Sequence, residues 1–98
     1  MKIAIASEGE GPDAQVSQHG ARAPFYLIYN ENGNLQESIT NPYANADRGA
    51  GPKAAHFLVQ KGVQLLVAGS FGGRFVDELE AGGIRQLQKA GIVSVVIA

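Results

Sequence analysis

Residues 24 to 40 commit the chain to an antiparallel hairpin. Pro24-Phe25-Tyr26-Leu27-Ile28-Tyr29 is aromatic and β-branched, Asn30-Glu31-Asn32-Gly33-Asn34 follows, and Leu35 to Thr40 returns. Asn-Gly between two strand-like runs is the strongest short-range hairpin signal, because both residues tolerate the positive φ that a tight reversal needs. The hairpin constrains the rest of the fold because its surroundings are of a different kind. Lys2 to Ala6 is a buried β-branched run ahead of it, and after it strand-like and helix-like segments alternate. An antiparallel hairpin joined to βαβ units predicts a mixed sheet with helices packed on it.

The helices are delimited by their end signals. Pro52 opens the first, since proline's missing N–H costs nothing at the first helical position, and Gly62 closes it after Lys61. Ala55, Leu58 and Val59 fall on one face of this segment, with Lys53, His56 and Gln60 on another. Val63 to Ala68 reads as a second buried strand. Arg74 to Ala81 reads as a second helix, with Phe75, Val76 and Leu79 apolar and Gly82-Gly83 ending it. In the last fifteen residues both Ile84 to Leu87 and Ile92 to Ile97 have strand character, and either or both complete the sheet.

Ninety-eight residues are expected to form one domain, 1–98, with a single small core. Eight basic and nine acidic residues leave a net charge of −1. A nucleic-acid or membrane-surface binder would carry a basic stripe, so neither partner is expected. The chain has no cysteine, which excludes disulfides and any thiolate ligation of zinc or an iron–sulfur cluster by its own residues. No apolar run approaches the ~20 residues of a membrane helix, and Met1 to Ala6 is too short for a signal peptide. The expected location is the cytoplasm.

In an open α/β sheet, ligands gather beyond the carboxyl ends of the parallel strands. Three segments converge there: the long polar loop from Ser7 to Gly20, the turn Gly49-Ala50-Gly51, and the turn Gly69 to Gly73. Two of them enter helices, whose free N–H groups and dipole favour an anion, and glycine lets a ligand approach the backbone. Neither matches a Walker or dinucleotide fingerprint, and glycines of this kind are most often plain turn chemistry. Arg74 stands at a helix start, where a cation opposes the dipole, and that weak cost is consistent with its facing a negative ligand. A solvated surface arginine is the competing reading. His19 lies in the polar loop near Arg22 and is the candidate ligand, since neutral imidazole is the commonest metal ligand. Most lone loop histidines are simply solvent-exposed, and His56 is read as a surface residue.

The stretch Val16-Ser17-Gln18-His19-Gly20-Ala21-Arg22-Ala23-Pro24-Phe25-Tyr26 resembles the opening motif of the dinitrogenase iron–molybdenum cofactor binding and biosynthesis family. There a Ser-x-His-Phe-Gly-Arg-Ala-like run leads into an aromatic strand. Other landmarks follow in order: Met1 to Ala6, Asn41-Pro42, Gly49-Ala50-Gly51, Lys61-Gly62-Val63, and Gly72 to Gly83. The resemblance spans residues 1 to about 88. It implies a ribonuclease-H-like three-layer α/β/α fold with five strands in order 3-2-1-4-5, strand 2 antiparallel. It also implies binding of iron–molybdenum cofactor or an iron–sulfur precursor, with His19 as metal ligand. Arg22, Ser7, Gly49, Gly51, Gly72, Gly73 and Arg74 would then hold the anionic cluster. Two departures stand out. The family's phenylalanine and glycine after the histidine are Gly20 and Ala21 here, and the usual C-terminal helix is replaced by a β-branched tail, Gly91 to Ala98.

The leading expectation is a non-catalytic carrier of a metallocluster or small anion, working with cofactor-synthesis or acceptor proteins, as a monomer or weak dimer. The alternative is an interaction or regulatory module without a cofactor, whose exposed strand Leu35 to Thr40 pairs with another chain. An enzyme is the third reading. Ribonuclease-H-type catalysis needs carboxylates on the central strands to hold two magnesium ions. Lys2 to Ala6 and Val63 to Ala68 carry none. No Gly-x-Ser-x-Gly elbow accompanies the five serines, and the two histidines have no triad context.

Overall fold

A computed structural model describes residues 1 to 97. The elements run β1 (Ile3–Ser7), β2 (Phe25–Tyr29), β3 (Leu35–Thr40), α1 (Ala50–Gln60), β4 (Leu65–Ala68), α2 (Gly73–Ala81), β5 (Arg85–Gln88) and α3 (Val93–Ile97). The five strands form one sheet in the order β3-β2-β1-β4-β5. β2 is antiparallel to both β1 and β3, while β1, β4 and β5 run parallel. This is the mixed three-layer α/β architecture expected from the sequence.

The hairpin forms where Asn-Gly places it, but with one positive φ and not two, since Gly33 alone takes it and Asn32 does not. Gly33 takes a φ of 80°, and the Asn30 side-chain oxygen accepts the N–H groups of Asn32 and Asn34, each at 3.0 Å. Both long helices end in the same glycine device. Past α1, Gly62 (φ 79°) donates to Val59 O and Val63 to Leu58 O. Past α2, Gly83 (φ 80°) donates to Glu80 O and Ile84 to Leu79 O. These paired bonds satisfy the last free carbonyls and return the chain to the sheet, as a Schellman motif does.

Strand alternation divides the core between the two faces of the sheet. Ala4, Ala6, Tyr26, Ile28, Leu66 and Ala68 point toward α1 and α2, where Ala54, Ala55, Leu58, Phe75 and Leu79 meet them. Ile5, Leu27, Tyr29 and Val67 point the other way, onto Val16 and Val93. The small side chains of Ala4, Ala6 and Ala68 let the helical layer sit close to the sheet. β3 is an edge strand, exposed at every residue but Ile39, which is half-buried.

Several expectations are corrected. α1 begins at Ala50, so Pro52 is its third residue and not its first. The proline is still harmless there, because the first intrahelical bond is Lys53 N–H to Gly49 O. Val59 is 39% exposed, since the inward stripe of α1 is Ala50, Ala54, Ala55 and Leu58. Val59 instead lies beside Gly82, whose missing Cβ would come within 2.5 Å of Val59 Cγ2. β5 is the Arg85 segment, and the Ile92 to Ile97 run is no strand. It forms α3 because Val93 and Ser94 donate their N–H groups to Ala14 O and Pro12 O. Those bonds dock the segment on the loop that follows β1, and Val93 is buried there. Tertiary contacts override β propensity in a five-residue element.

Candidate functional site

β1 and β4 are parallel neighbours, and the chain leaves them in opposite directions, toward β2 and toward β5. That makes the gap beyond their carboxyl ends the switch point of the sheet, where loops part and leave a crevice. A cleft of about 450 Å³ opens there, lined by Gln18 to Arg22, Gly49 to Gly51, Ser70 and Gly72 to Phe75. Of the eight residues proposed from sequence, seven line this one cleft: His19, Arg22, Gly49, Gly51, Gly72, Gly73 and Arg74.

Ser7 does not. It is the last residue of β1, fully buried, and its hydroxyl donates to Gly9 O at 2.6 Å while accepting the Gly9 N–H at 3.2 Å. The strand runs one residue further than its β-branched stretch, because Ser7 still pairs with Phe25. Its side chain folds the loop and takes no place in the cleft.

Each helix contributes uncapped N–H groups. Gly49 precedes α1 at φ 68°, Gly72 precedes α2 in extended conformation, and neither start has a side-chain cap. A left-handed turn ahead of α1 is one that glycine adopts without strain. The first intrahelical donors are Lys53 and Val76. The N–H groups of Ala50, Gly51, Gly73, Arg74 and Phe75 are therefore free of intrahelical acceptors, and all five residues line the cleft.

The charged side chains act in the same direction. Arg22 and Arg74 stand in the lining beside His19, and no aspartate or glutamate does. Among the described residues the two ion pairs are Met1 N-terminus to Glu31 and Lys61 to Glu37, so neither arginine of the cleft is neutralised by a carboxylate. Arg22 is held in place instead: Nη1 donates to Ala46 O at 2.7 Å and to Ala44 O at 3.4 Å. A guanidinium has five N–H donors, so several remain for a ligand. In a chain of net charge −1, this is a local reversal of sign.

The loop that carries His19 is built on residues outside the proposed site set. Ser17 is fully buried, and its Oγ accepts the His19 N–H at 3.1 Å, closing a small turn that projects His19 outward. Ser17 also bonds across both central strands, donating its N–H to Ala6 O and accepting the Gly69 N–H, each at 2.7 Å. Tyr26 donates its hydroxyl to Gly20 O at 2.6 Å, and burial pushes its phenol well above the ordinary tyrosine range. It stays protonated and remains a donor. Asn41 donates through Nδ2 to Ala21 O and Ala23 O, each at 2.9 Å, and accepts the Tyr43 N–H at 3.0 Å. Ser70 donates to Gln18 O at 2.6 Å, tying the two glycine-flanked loops together. A serine two residues before His19 and an asparagine ahead of a proline are both turn signals, and they were legible as such. Phe75, read from sequence only as an apolar residue of α2, is buried in the core and is also part of the cleft wall.

Chemically the cleft offers one imidazole, no thiolate and no carboxylate, and among the described residues no group of three or more metal-binding side chains occurs. A metal here would find one imidazole in the lining, His19, and the remaining recognition would come mainly from N–H donors and positive charge. Among the described residues no helix is long and apolar enough to cross a membrane.

Comparisons with known proteins bear on the family and the fold. The family described as dinitrogenase iron–molybdenum cofactor matches residues 1–98. No curated protein matches the chain. A Thermotoga protein provisionally named NifB and placed in the DUF35 family, solved by NMR, is 37% identical with a TM-score of 0.81. That alignment covers 98% of this chain and 83% of the other. The apo form of the orange protein from Desulfovibrio gigas is 28% identical with a TM-score of 0.90, over 98% of this chain and 82% of that one. A Methanocaldococcus jannaschii protein provisionally named a dinitrogenase shares the fold at 14% identity and a TM-score of 0.60, over 99% of this chain and 88% of the other. With its whole length matched and its five-stranded sheet shared, the chain belongs to the dinitrogenase iron–molybdenum cofactor family.

Proposed function

We propose that the chain is a non-catalytic carrier whose cleft binds an anionic metallocluster, iron–molybdenum cofactor or an iron–sulfur precursor of it, and passes it to a synthesis or acceptor protein. The observation that carries this reading is the acid-free lining: two arginines, His19 and two uncapped helix starts face one space without a single carboxylate. Anions are stabilised at such helix ends, and charge-assisted hydrogen bonds from guanidinium groups add to that. The donor set suits cargo that is held loosely and handed on. His19 would supply the one metal bond, and Arg22, Arg74 and the N–H groups of residues 50, 51 and 73 to 75 would hold the anionic surface.

The reading as a carrier and not a two-metal enzyme is supported by the lining, where no carboxylate is placed to hold a catalytic metal. Ser70 is the lining hydroxyl, and its proton is committed to Gln18 O.

The test is an anaerobic titration with isolated iron–molybdenum cofactor and with its iron–sulfur precursor, read by absorbance and gel filtration. Stoichiometric co-elution is expected for the wild type. His19→Ala is expected to weaken it about tenfold, roughly 1.4 kcal/mol. Absence of co-elution, under conditions where an established carrier binds, would remove the cluster from the account. Undiminished binding by His19→Ala would remove the histidine from the site.

A further inference from the structure

Gly20 is buried, and it is a glycine for a reason visible in the structure. A Cβ there would lie 2.8 Å from Phe75 Cε2, 3.3 Å from Phe75 Cδ2 and 3.2 Å from Ser70 O. The Gly20 N–H donates to that same Ser70 O at 3.2 Å and the Gly20 carbonyl accepts the Tyr26 hydroxyl, so the backbone has no freedom to retreat. Phe75 has little freedom either. Its ring stacks on Phe71 with centroids 6.1 Å apart and planes 19° apart. The Gly51 backbone comes close on another side, where an added Cβ would sit 3.5 Å from Phe75 Cα and Cβ. Phe75 is 3% exposed, yet it lines the cleft and sits in the first turn of α2 beside the free N–H groups.

We infer that Phe75, seated on the side-chain-less face of Gly20, is the residue that sets how large an anionic group can reach the floor of the cleft, between the free N–H groups of the two helix starts. The donors that attract the anion come from the rim and the helix starts, and the ring closes the space between them. A rigid apolar floor adds no charge. It discriminates by volume, because protein interiors are close-packed and a well-held ring yields little to an oversized guest. The pair is reciprocal: the ring requires glycine at position 20, and a smaller residue at position 75 would leave room for a methyl group there.

This inference rests on the reading of the cleft as an anion site, and the experiment separates the two. Molybdate and tetrathiomolybdate are both tetrahedral dianions, and the sulfur species is the larger. Their affinities are measured by calorimetry for the wild type, Phe75→Leu, and Phe75→Leu combined with Gly20→Ala. Phe75→Leu is expected to raise the tetrathiomolybdate-to-molybdate affinity ratio about tenfold, and the added methyl of Gly20→Ala is expected to return it toward the wild-type value. A ratio unchanged in Phe75→Leu, with the wild type binding either anion, overturns the inference and leaves the anion site standing. A wild type that binds neither anion overturns the anion reading and the inference with it. Thermal melts of the same proteins and of Gly20→Ala alone test the packing without any ligand. Gly20→Ala is expected to lower the midpoint markedly beside Phe75 and much less beside leucine. Equal losses in both backgrounds would contradict the pairing.

Discussion

Asn41→Ala is expected to destabilise the protein by about 2–4 kcal/mol, because one buried amide organises the whole approach to the cleft. Asn41 is 3% exposed. Both of its Nδ2 protons are committed, to Ala21 O and Ala23 O, and its oxygen accepts the Tyr43 N–H. Alanine removes all three bonds and leaves their partners to find water in a buried corner, where each unsatisfied group costs roughly 1–3 kcal/mol. Tyr26 hydroxyl on Gly20 O limits the damage on one side, so the loop loosens without detaching. Urea denaturation followed by circular dichroism checks this. For a domain of this size the shift corresponds to a fall in Tm of roughly 4–8 °C per kcal/mol. Asn41→Asp is expected to be at least as harmful, since it turns the donor that faces two carbonyl oxygens into an acceptor. A loss below about 0.5 kcal/mol would be that of an ordinary surface site, and would mean that the loop is held by something else.

Removing both cleft arginines carries the largest expected effect on binding. Arg22→Gln with Arg74→Gln is expected to lower affinity for a dianion such as molybdate about 100-fold at low salt, close to 2.8 kcal/mol. Each guanidinium is unpaired by any carboxylate among the described residues, so its charge is fully available to a ligand. Lys2→Gln with Lys61→Gln makes the same change in net charge at the amino end of β1 and the far end of α1. That pair is the control, and it is expected to change affinity less than twofold. Raising the salt narrows the difference, because exposed charges are screened over a Debye length of about 10 Å at 0.1 M. Equal losses in the two pairs would reduce the site to net charge alone.

Much of this was readable before any coordinates, and the reasons are physical. The hairpin, the glycine-ended helices and the parallel strands are written in local chemistry, where each residue's preference agrees with its final environment. The same agreement placed seven of eight proposed residues in one cleft, since glycine turns into helices at the strand carboxyl ends have nowhere else to converge. What escaped depends on contacts far apart in sequence. Ile92 to Ile97 has β-branched composition, yet it is helical because bonds to Pro12 O and Ala14 O hold its start. Ser7 looked like a loop residue at the mouth of the site, and pairing with Phe25 makes it the end of a strand. Gly20 looked like a departure from the family's motif. The space that a side chain at position 20 would need is filled by Phe75, fifty-five positions further along the chain. No periodicity or turn signal connects those two residues.

The central claim is that the cleft at the switch point of the sheet binds an anion, and a nuclear magnetic resonance titration of the labelled protein with molybdate tests it most directly. Amide shifts are expected to concentrate at Gly20, Ala50, Gly51, Gly73, Arg74 and Phe75, to saturate at one equivalent and to weaken as salt is raised. Amides that stay still throughout the titration, or shifts scattered over surface lysines such as Lys2 and Lys61 without saturation, would contradict it.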